Sequence, residues 1–155
     1  MISFKEFLIE RKYWGKSAAG AIIVELKTKK ILFLKRSADE DSEQQEWEIT
    51  IGGKSDTTDV DALDTVNREI FEEIGLINEI SSNMLELFFD TSDNHDPFKY
   101  HVFVKTVPTE FKPVLSKEHT DYRWVDIHKD VIPTPLHFGA ERLLKHPKSY
   151  KKFLE

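Results

Sequence analysis

Glutamates at positions 69, 72 and 73 inside the stretch Val60 to Leu76, VDALDTVNREIFEEIGL, constrain this chain more than any other feature. Helical periodicity sets Leu63, Val66, Ile70 and Ile74 on one stripe and gathers Glu69, Glu72 and Glu73 on the neighbouring arc. Like charges at these spacings cost a few tenths of a kcal/mol per pair on a helix. Two readings follow: a solvated acidic face, or a set of hard oxygen ligands that a divalent cation such as Mg2+ or Mn2+ turns from repulsive to favourable. Arg68 and Lys54 are close enough in sequence to offset part of the charge.

The flanks frame this helix. Thr58 and Asp61 stand at capping-box spacing, with Asp in place of the usual Glu or Gln, and they predict its start. Gly75 falls where a left-handed C-cap is expected. Upstream, Gly52-Gly53 allows a tight turn in which a backbone carbonyl comes close to a ligand. A backbone oxygen delivered beside three carboxylates is a plausible cation cage.

The run GGKSDTTDVDALDTVNREIFEEIGL resembles the Nudix box, a glycine, five residues, a glutamate, seven residues, then Arg-Glu-aliphatic-any-Glu-Glu-any-Gly-aliphatic. Arg68-Glu69-Ile70-Phe71-Glu72-Glu73-Ile74-Gly75-Leu76 matches every specified place of the second half. The first half is out of register. Counted from Gly53 the acidic place holds Asp59, separated from Arg68 by eight residues rather than seven, and counted back from Arg68 it holds Val60. One inserted residue reconciles the counts, with Asp59 as the substitute acid. Many relatives have proline before the paired glycines, where this chain has Ile51.

At 155 residues the chain has the size of one domain, and a single Nudix-like catalytic domain over 1–155 is expected. Hydrophobic residues at 39% and charged residues at 32% suit a globular protein and exclude a disordered tail. The chain has no cysteine, which removes disulfides, cysteine-ligated zinc and thiol catalysis. A net charge of -6 argues against an extended nucleic-acid partner. No apolar run reaches membrane-spanning length and no secretory segment is evident, so a cytoplasmic location without membrane association is expected.

Strands are predicted over Ala18–Leu26 and Ile31–Leu34, joined as a hairpin, then over Trp47–Ile51, Met84–Phe89, Phe98–Val104 and Tyr122–Val125. A helix is predicted over Leu136–Leu144. The aromatics among Met1 to Lys16 are assigned to packing. Arg36, ending the second strand, has donor geometry suited to a diphosphate, against solvent exposure as the plainer reading. Trp47 is a candidate for base stacking, against a packing role. His95, in the polar connection Asp90 to Pro97, shows no second ligand or base partner and is read as structural or solvated.

The resemblance implies an α/β fold, a mixed-sheet α/β/α sandwich, and metal-dependent hydrolysis by attack of water at phosphorus. It implies Glu69, Glu72 and Glu73 with the Gly53 carbonyl as ligands for Mg2+, or alternatively Mn2+, and Arg68 as a residue that orients a carboxylate. Glu118, before a Trp-containing strand, is similar to the family's distal acid and joins the set as a ligand or water-positioning group. Arg36, Trp47, Gly53 and Lys54 are the candidates for substrate contact. A small nucleoside-diphosphate derivative such as ADP-ribose or a nucleotide sugar is the favoured substrate. A nucleoside-triphosphate or dinucleoside-polyphosphate pyrophosphohydrolase and a non-catalytic nucleotide sensor are the alternatives, and a homodimer stays open. Isopentenyl-diphosphate isomerisation, a chemistry of the same fold, is disfavoured because its catalytic cysteine has no equivalent here.

Overall fold

The computed structural model describes residues 17–38, 45–54, 59–75, 85–90 and 99–145. The expectations for Met1 to Lys16, for the His95 connection and for Thr58 lie outside these residues. The elements run β1 (Ser17–Glu25), β2 (Ile31–Arg36), β3 (Trp47–Glu48), β4 (Thr50–Lys54), α1 (Ala62–Ile74), β5 (Leu85–Asp90), β6 (Lys99–Val107), β7 (His119–Val125) and α2 (Phe138–Leu144).

The seven strands form one mixed sheet. β1 lies at its centre, parallel to β6 along its whole length from Ser17↔Lys99 to Glu25↔Val107. Its other edge is shared: Val24 pairs with Ile31 of β2, while Ala18 to Ile22 pair antiparallel with Lys54 to Thr50 of β4. The expected first hairpin is present, and Lys29 turns it at a φ of 59°. Buried Glu25 holds that turn by accepting from the backbone N–H groups of Lys27 at 2.8 Å and Thr28 at 2.7 Å. β5 pairs antiparallel with β6, as the sequence predicts, and β7 with β2.

Two expected strands change form. The Trp47–Ile51 segment divides at Ile49: β3 pairs with β2, and β4 then crosses to pair with β1. This crossing carries Gly52 and Gly53 to the centre of the sheet. The strand expected at Tyr122 begins earlier, at His119, because Arg36 pairs with His119 past an irregularity at Lys35/Arg36.

Strand alternation sends side chains to two faces. On one, Ile22, Val24, Ile31, Phe33, Trp47, Ile49, Val102, Val104 and Val125 pack with Ala140 and Leu143 of α2. On the other, Ala19, Ala21, Ile23, Leu32, Leu34, Ile51, Phe103 and Val107 receive Val66, Ile70 and Ile74 of α1. The apolar stripe of the central helix therefore faces the sheet, and a second helix covers the opposite side, completing the sandwich. Among the described residues no helix is long and apolar enough to cross a membrane.

The start of α1 differs from the capping-box expectation. Asp61 is the N-cap, and its side chain accepts from the Asp64 backbone N–H at 2.8 Å. At the other end Gly75, at a φ of 71°, donates its N–H to the Phe71 carbonyl at 3.0 Å, the left-handed cap its position predicts.

Candidate active site

β4 brings Gly53 against the acidic arc of α1. A Cβ on Gly53 would lie 2.7 Å from Glu69 Oε1, so a side chain there would push that carboxylate aside. Glu69 is largely covered, at 14% side-chain exposure. Burial raises its pKa, Arg68 opposes the shift, and Glu72 and Glu118 add to it.

Arg68 ties the arc together. Its Nε donates to Asp59 Oδ1 at 3.2 Å and its Nη2 to Asp59 Oδ2 at 3.1 Å, while Nη1 reaches Glu69 Oε1 at 3.1 Å and Glu72 Oε2 at 3.3 Å. Asp59 also accepts from Thr65 Oγ1 at 3.0 Å. The fork geometry of the guanidinium suits it to hold these three carboxylates in fixed relation. Glu72 is the exposed member of the set.

Glu73 is the anomalous member. It is 5% exposed, and its Oε2 is buried with no hydrogen-bond partner among the described residues. Burial, then the like charges of Glu48, Glu69 and Glu118, push its pKa up to about 10. A buried carboxylate without a compensating cation costs several kcal/mol, and most proteins avoid one. Glu118 arrives on the turn before β7. That turn is anchored by Ser116 N–H to the Glu73 carbonyl at 3.3 Å and by Ser37 N–H to the Glu118 carbonyl at 2.8 Å.

The family model for the NUDIX domain matches residues 15–146. The chain belongs to the Nudix family. Solved Nudix structures share its fold: RenU from M. smegmatis at a TM-score of 0.68, with 18% identity over 90% of this chain and 87% of that one. The Nudix domain of Shewanella oneidensis NrtR, complexed with ADP ribose, superposes at 0.61 with 18% identity over 85% of each chain. A MutT Nudix hydrolase from Burkholderia pseudomallei gives 0.58 with 24% identity over 84% of this chain and 95% of that one. No curated protein is significantly similar in sequence.

Within this Nudix fold the sequence-predicted residues divide. Glu69, Glu73, Glu118, Arg68 and Gly53 come together, and Glu72 joins from the solvent side through Arg68. Among the described residues no three acids or histidines form a ready-made ligand set; the carboxylates repel one another, and Arg68 ties Asp59, Glu69 and Glu72 together. The positive charge of Arg36 favours the ionised forms of Glu46 and Glu48. Lys54 ends β4 opposite Ala18. Trp47 is 3% exposed in the core on the α2 side, with Lys35 Nζ 5.9 Å and Arg123 Cζ 4.9 Å from its ring centroid. Packing describes it, and base stacking does not.

Three residues of the site escaped the sequence reading or were left open by it. Asp59 takes the place of the box's first acid, and the inserted residue leaves its contact with Arg68 intact. Glu48 and His119 form a close pair, Nε2 to Oε1 at 2.5 Å, although the sequence holds them 71 positions apart. The one early signal for Glu48 is its place between inward-facing Trp47 and Ile49, which sends it to a different side from either neighbour.

Proposed function

We propose that this Nudix protein is a hydrolase, dependent on Mg2+ or alternatively Mn2+, that cleaves a nucleoside-diphosphate derivative such as ADP-ribose or a nucleotide sugar, with residues 1–155 as one catalytic domain. The observation that carries the reading is Glu73: a buried carboxylate with an unpartnered oxygen, surrounded by like charges, one helical turn from Glu69, whose carboxylate a Cβ on Gly53 would strike. Those features fit a divalent cation, because hard oxygen donors gathered against their own repulsion are stabilised by one.

Glu69 and Glu73, with Glu72, Glu118 and the Gly53 carbonyl, would hold the ion. When bound, it neutralises phosphate oxygens and lowers the pKa of water. Arg68 fixes the Glu69 carboxylate and stays protonated, so it orients and does not act as a base. Glu118, exposed on the turn before β7, would position the attacking water. Water oxygen bonds to one phosphorus, the bridging P–O bond breaks, and the products are a nucleoside monophosphate and a phosphorylated partner. No enzyme side chain enters the covalent chemistry. Arg36 and Lys54 are assigned to the phosphate side of the substrate.

The preference for a compact diphosphate rests on the acidic chain, which offers no track for a polyanion, and on the likeness to the ADP-ribose-bound Nudix domain. The test is a product-resolved panel of ADP-ribose, nucleotide sugars, dinucleoside polyphosphates, nucleoside triphosphates and capped RNA with Mg2+ or Mn2+. Cleavage of ADP-ribose or a nucleotide sugar to a nucleoside monophosphate supports the reading. Preference for a triphosphate or a cap overturns the substrate class, and tight nucleotide binding without turnover identifies a sensor.

A further inference from the structure

His119 and Glu48 stand outside the Nudix box, yet the sheet carries them to the back of the carboxylate centre. Leu34 faces α1, packed in the cluster that contains Val66, Ile70 and Ile74. Its cross-strand partners are Glu48 on β3 and Tyr122 on β7. Directly paired residues share a face, so Glu48 projects toward α1, the side on which Glu73 is buried. Two pairs further along, past the irregularity at Lys35/Arg36, Arg36 meets His119, and the His119 ring reaches across β2 to Glu48.

The contact is built rather than incidental. The His119 side chain is 2% exposed and that of Glu48 19%, and Nε2 lies 2.5 Å from Oε1. His119 Nδ1 is buried and meets no hydrogen-bond partner among the described residues, so Glu48 is the ring's polar anchor. The same residue closes the turn that presents Glu118: His119 N–H bonds the Ser116 carbonyl at 3.2 Å, and Ser37 Oγ donates to the Lys117 carbonyl at 2.6 Å. One end of His119 therefore fixes the backbone beside Glu118 and the other fixes a carboxylate beside Glu73.

We propose that His119 is a positioning residue for the Nudix carboxylate centre, holding Glu48 on the α1 face behind Glu73 and locking the Ser116–His119 turn that carries Glu118. Glu48 thereby contributes a further negative charge to the field that attracts a divalent cation. The geometry explains why a strand acid faces an already acidic helix: the imidazole keeps it in place where repulsion would otherwise turn it outward. This inference rests on the reading of the site as a cation centre.

The test uses the full chain and two readouts, Mn2+ binding followed by the free-ion electron paramagnetic resonance signal, and steady-state hydrolysis. His119→Leu removes the donor at similar size, and His119→Gln keeps an N–H within reach of Glu48. His119→Leu should weaken Mn2+ binding and lower kcat at saturating metal by about tenfold or more, the usual scale for groups that orient ligands, with substrate KM little changed. His119→Gln should restore most of both. Wild-type Mn2+ affinity in His119→Leu, or a loss that His119→Gln leaves uncorrected, overturns the proposal. If His119→Leu is too unstable to purify, Glu48→Gln decides: weakened Mn2+ binding supports the proposal, and wild-type affinity overturns it. Glu73→Gln separates the two claims. Loss of Mn2+ there with normal binding in His119→Leu defeats the positioning role alone. Weaker Mn2+ binding in His119→Leu of a chain that hydrolyses nothing on the panel defeats the hydrolase reading alone, and a wild type that binds no Mn2+ defeats both.

Discussion

The two faces of the sheet are built from alternate residues of the same strands and do opposite work. Toward α2, β1 presents Ile22 and Val24, which meet Phe33, Trp47 and Ile49 in an apolar layer. Toward α1 it presents Ala19, Ala21 and Ile23, and the layer above them buries Thr65 and Glu73 along with the apolar stripe of the helix. Large side chains fill the first face, whereas Ala19, Ala21 and Gly53 keep part of the second shallow. The α2 face gains stability from buried apolar area. The α1 face surrenders some of it to hold a carboxylate where water cannot screen its neighbours. Even the tryptophan follows this division: Trp47 packs on the α2 face, away from Glu69 and Glu73.

If the division is real, single substitutions should split cleanly between rate and stability. Glu73→Gln should lower metal-supported turnover on the order of a thousandfold, since metal-ion stabilisation of the transition state is worth several kcal/mol. Its thermal melt in chelator should stay at or above wild type; initial rates across Mg2+ concentrations measure the first quantity and calorimetry the second. Unchanged catalysis would break the comparison outright. On the other face, Phe33→Ala should cost about 3–5 kcal/mol in a urea titration while the surviving folded protein keeps its rate constant. A drop in kcat as large as that of Glu73→Gln would show that the faces are not separable.

The glycine pair sharpens the contrast within two residues. A Cβ on Gly52 would lie 2.0 Å from the Ala19 carbonyl oxygen and 2.4 Å from Gly20 Cα, atoms of a paired strand that cannot yield. On Gly53 it would meet the tip of the Glu69 side chain, which can turn away. Gly52→Ala should therefore destabilise by about 3 kcal/mol or more and show little soluble folded protein. Gly53→Ala should fold and lose about ten- to a hundredfold in activity or Mn2+ affinity, as displaced ligands do. Equal melting temperatures for the two variants would contradict the assignment of Gly52 to the sheet and Gly53 to the site.

The pH dependence of stability is the most specific expectation. Glu73 titrates at about 10 in the folded chain against an ordinary value of 4.5, so between those limits the folded state keeps a proton that the unfolded state has released. Stability must then fall as pH rises through that window, by at most about 1.4 kcal/mol per pH unit. In chelator, wild type should lose melting temperature from about pH 6 to about pH 9 more steeply than Glu73→Gln, and added Mg2+ should flatten the difference. Parallel profiles for the two proteins would place the source of any pH dependence elsewhere.

Local rules made much of this legible. The helical stripe of Val66, Ile70 and Ile74, the Gly75 cap, the first hairpin and the grouping of Glu69 with Glu73 all depend on neighbours within about four positions, where periodicity and backbone sterics act directly. The box spacing added Gly53 and, through the family likeness, Glu118. The capping-box expectation went astray because Asp61 and Thr58 compete for the same helix end with similar side-chain chemistry, and spacing does not choose between them.

Sequence alone, then, determined the central helix, its acidic arc and the family to which both belong, because those are written in consecutive residues. Tertiary structure decided which acids are buried, that Asp59 absorbs the insertion by meeting Arg68, that Trp47 turns away from the site, and that His119 closes on Glu48. Each of those outcomes depends on strand register and on the switch of the chain from β2 to β1 at Ile49. A shift of one residue in either would exchange the two faces, and no pattern within a single strand specifies which neighbour it will pair with.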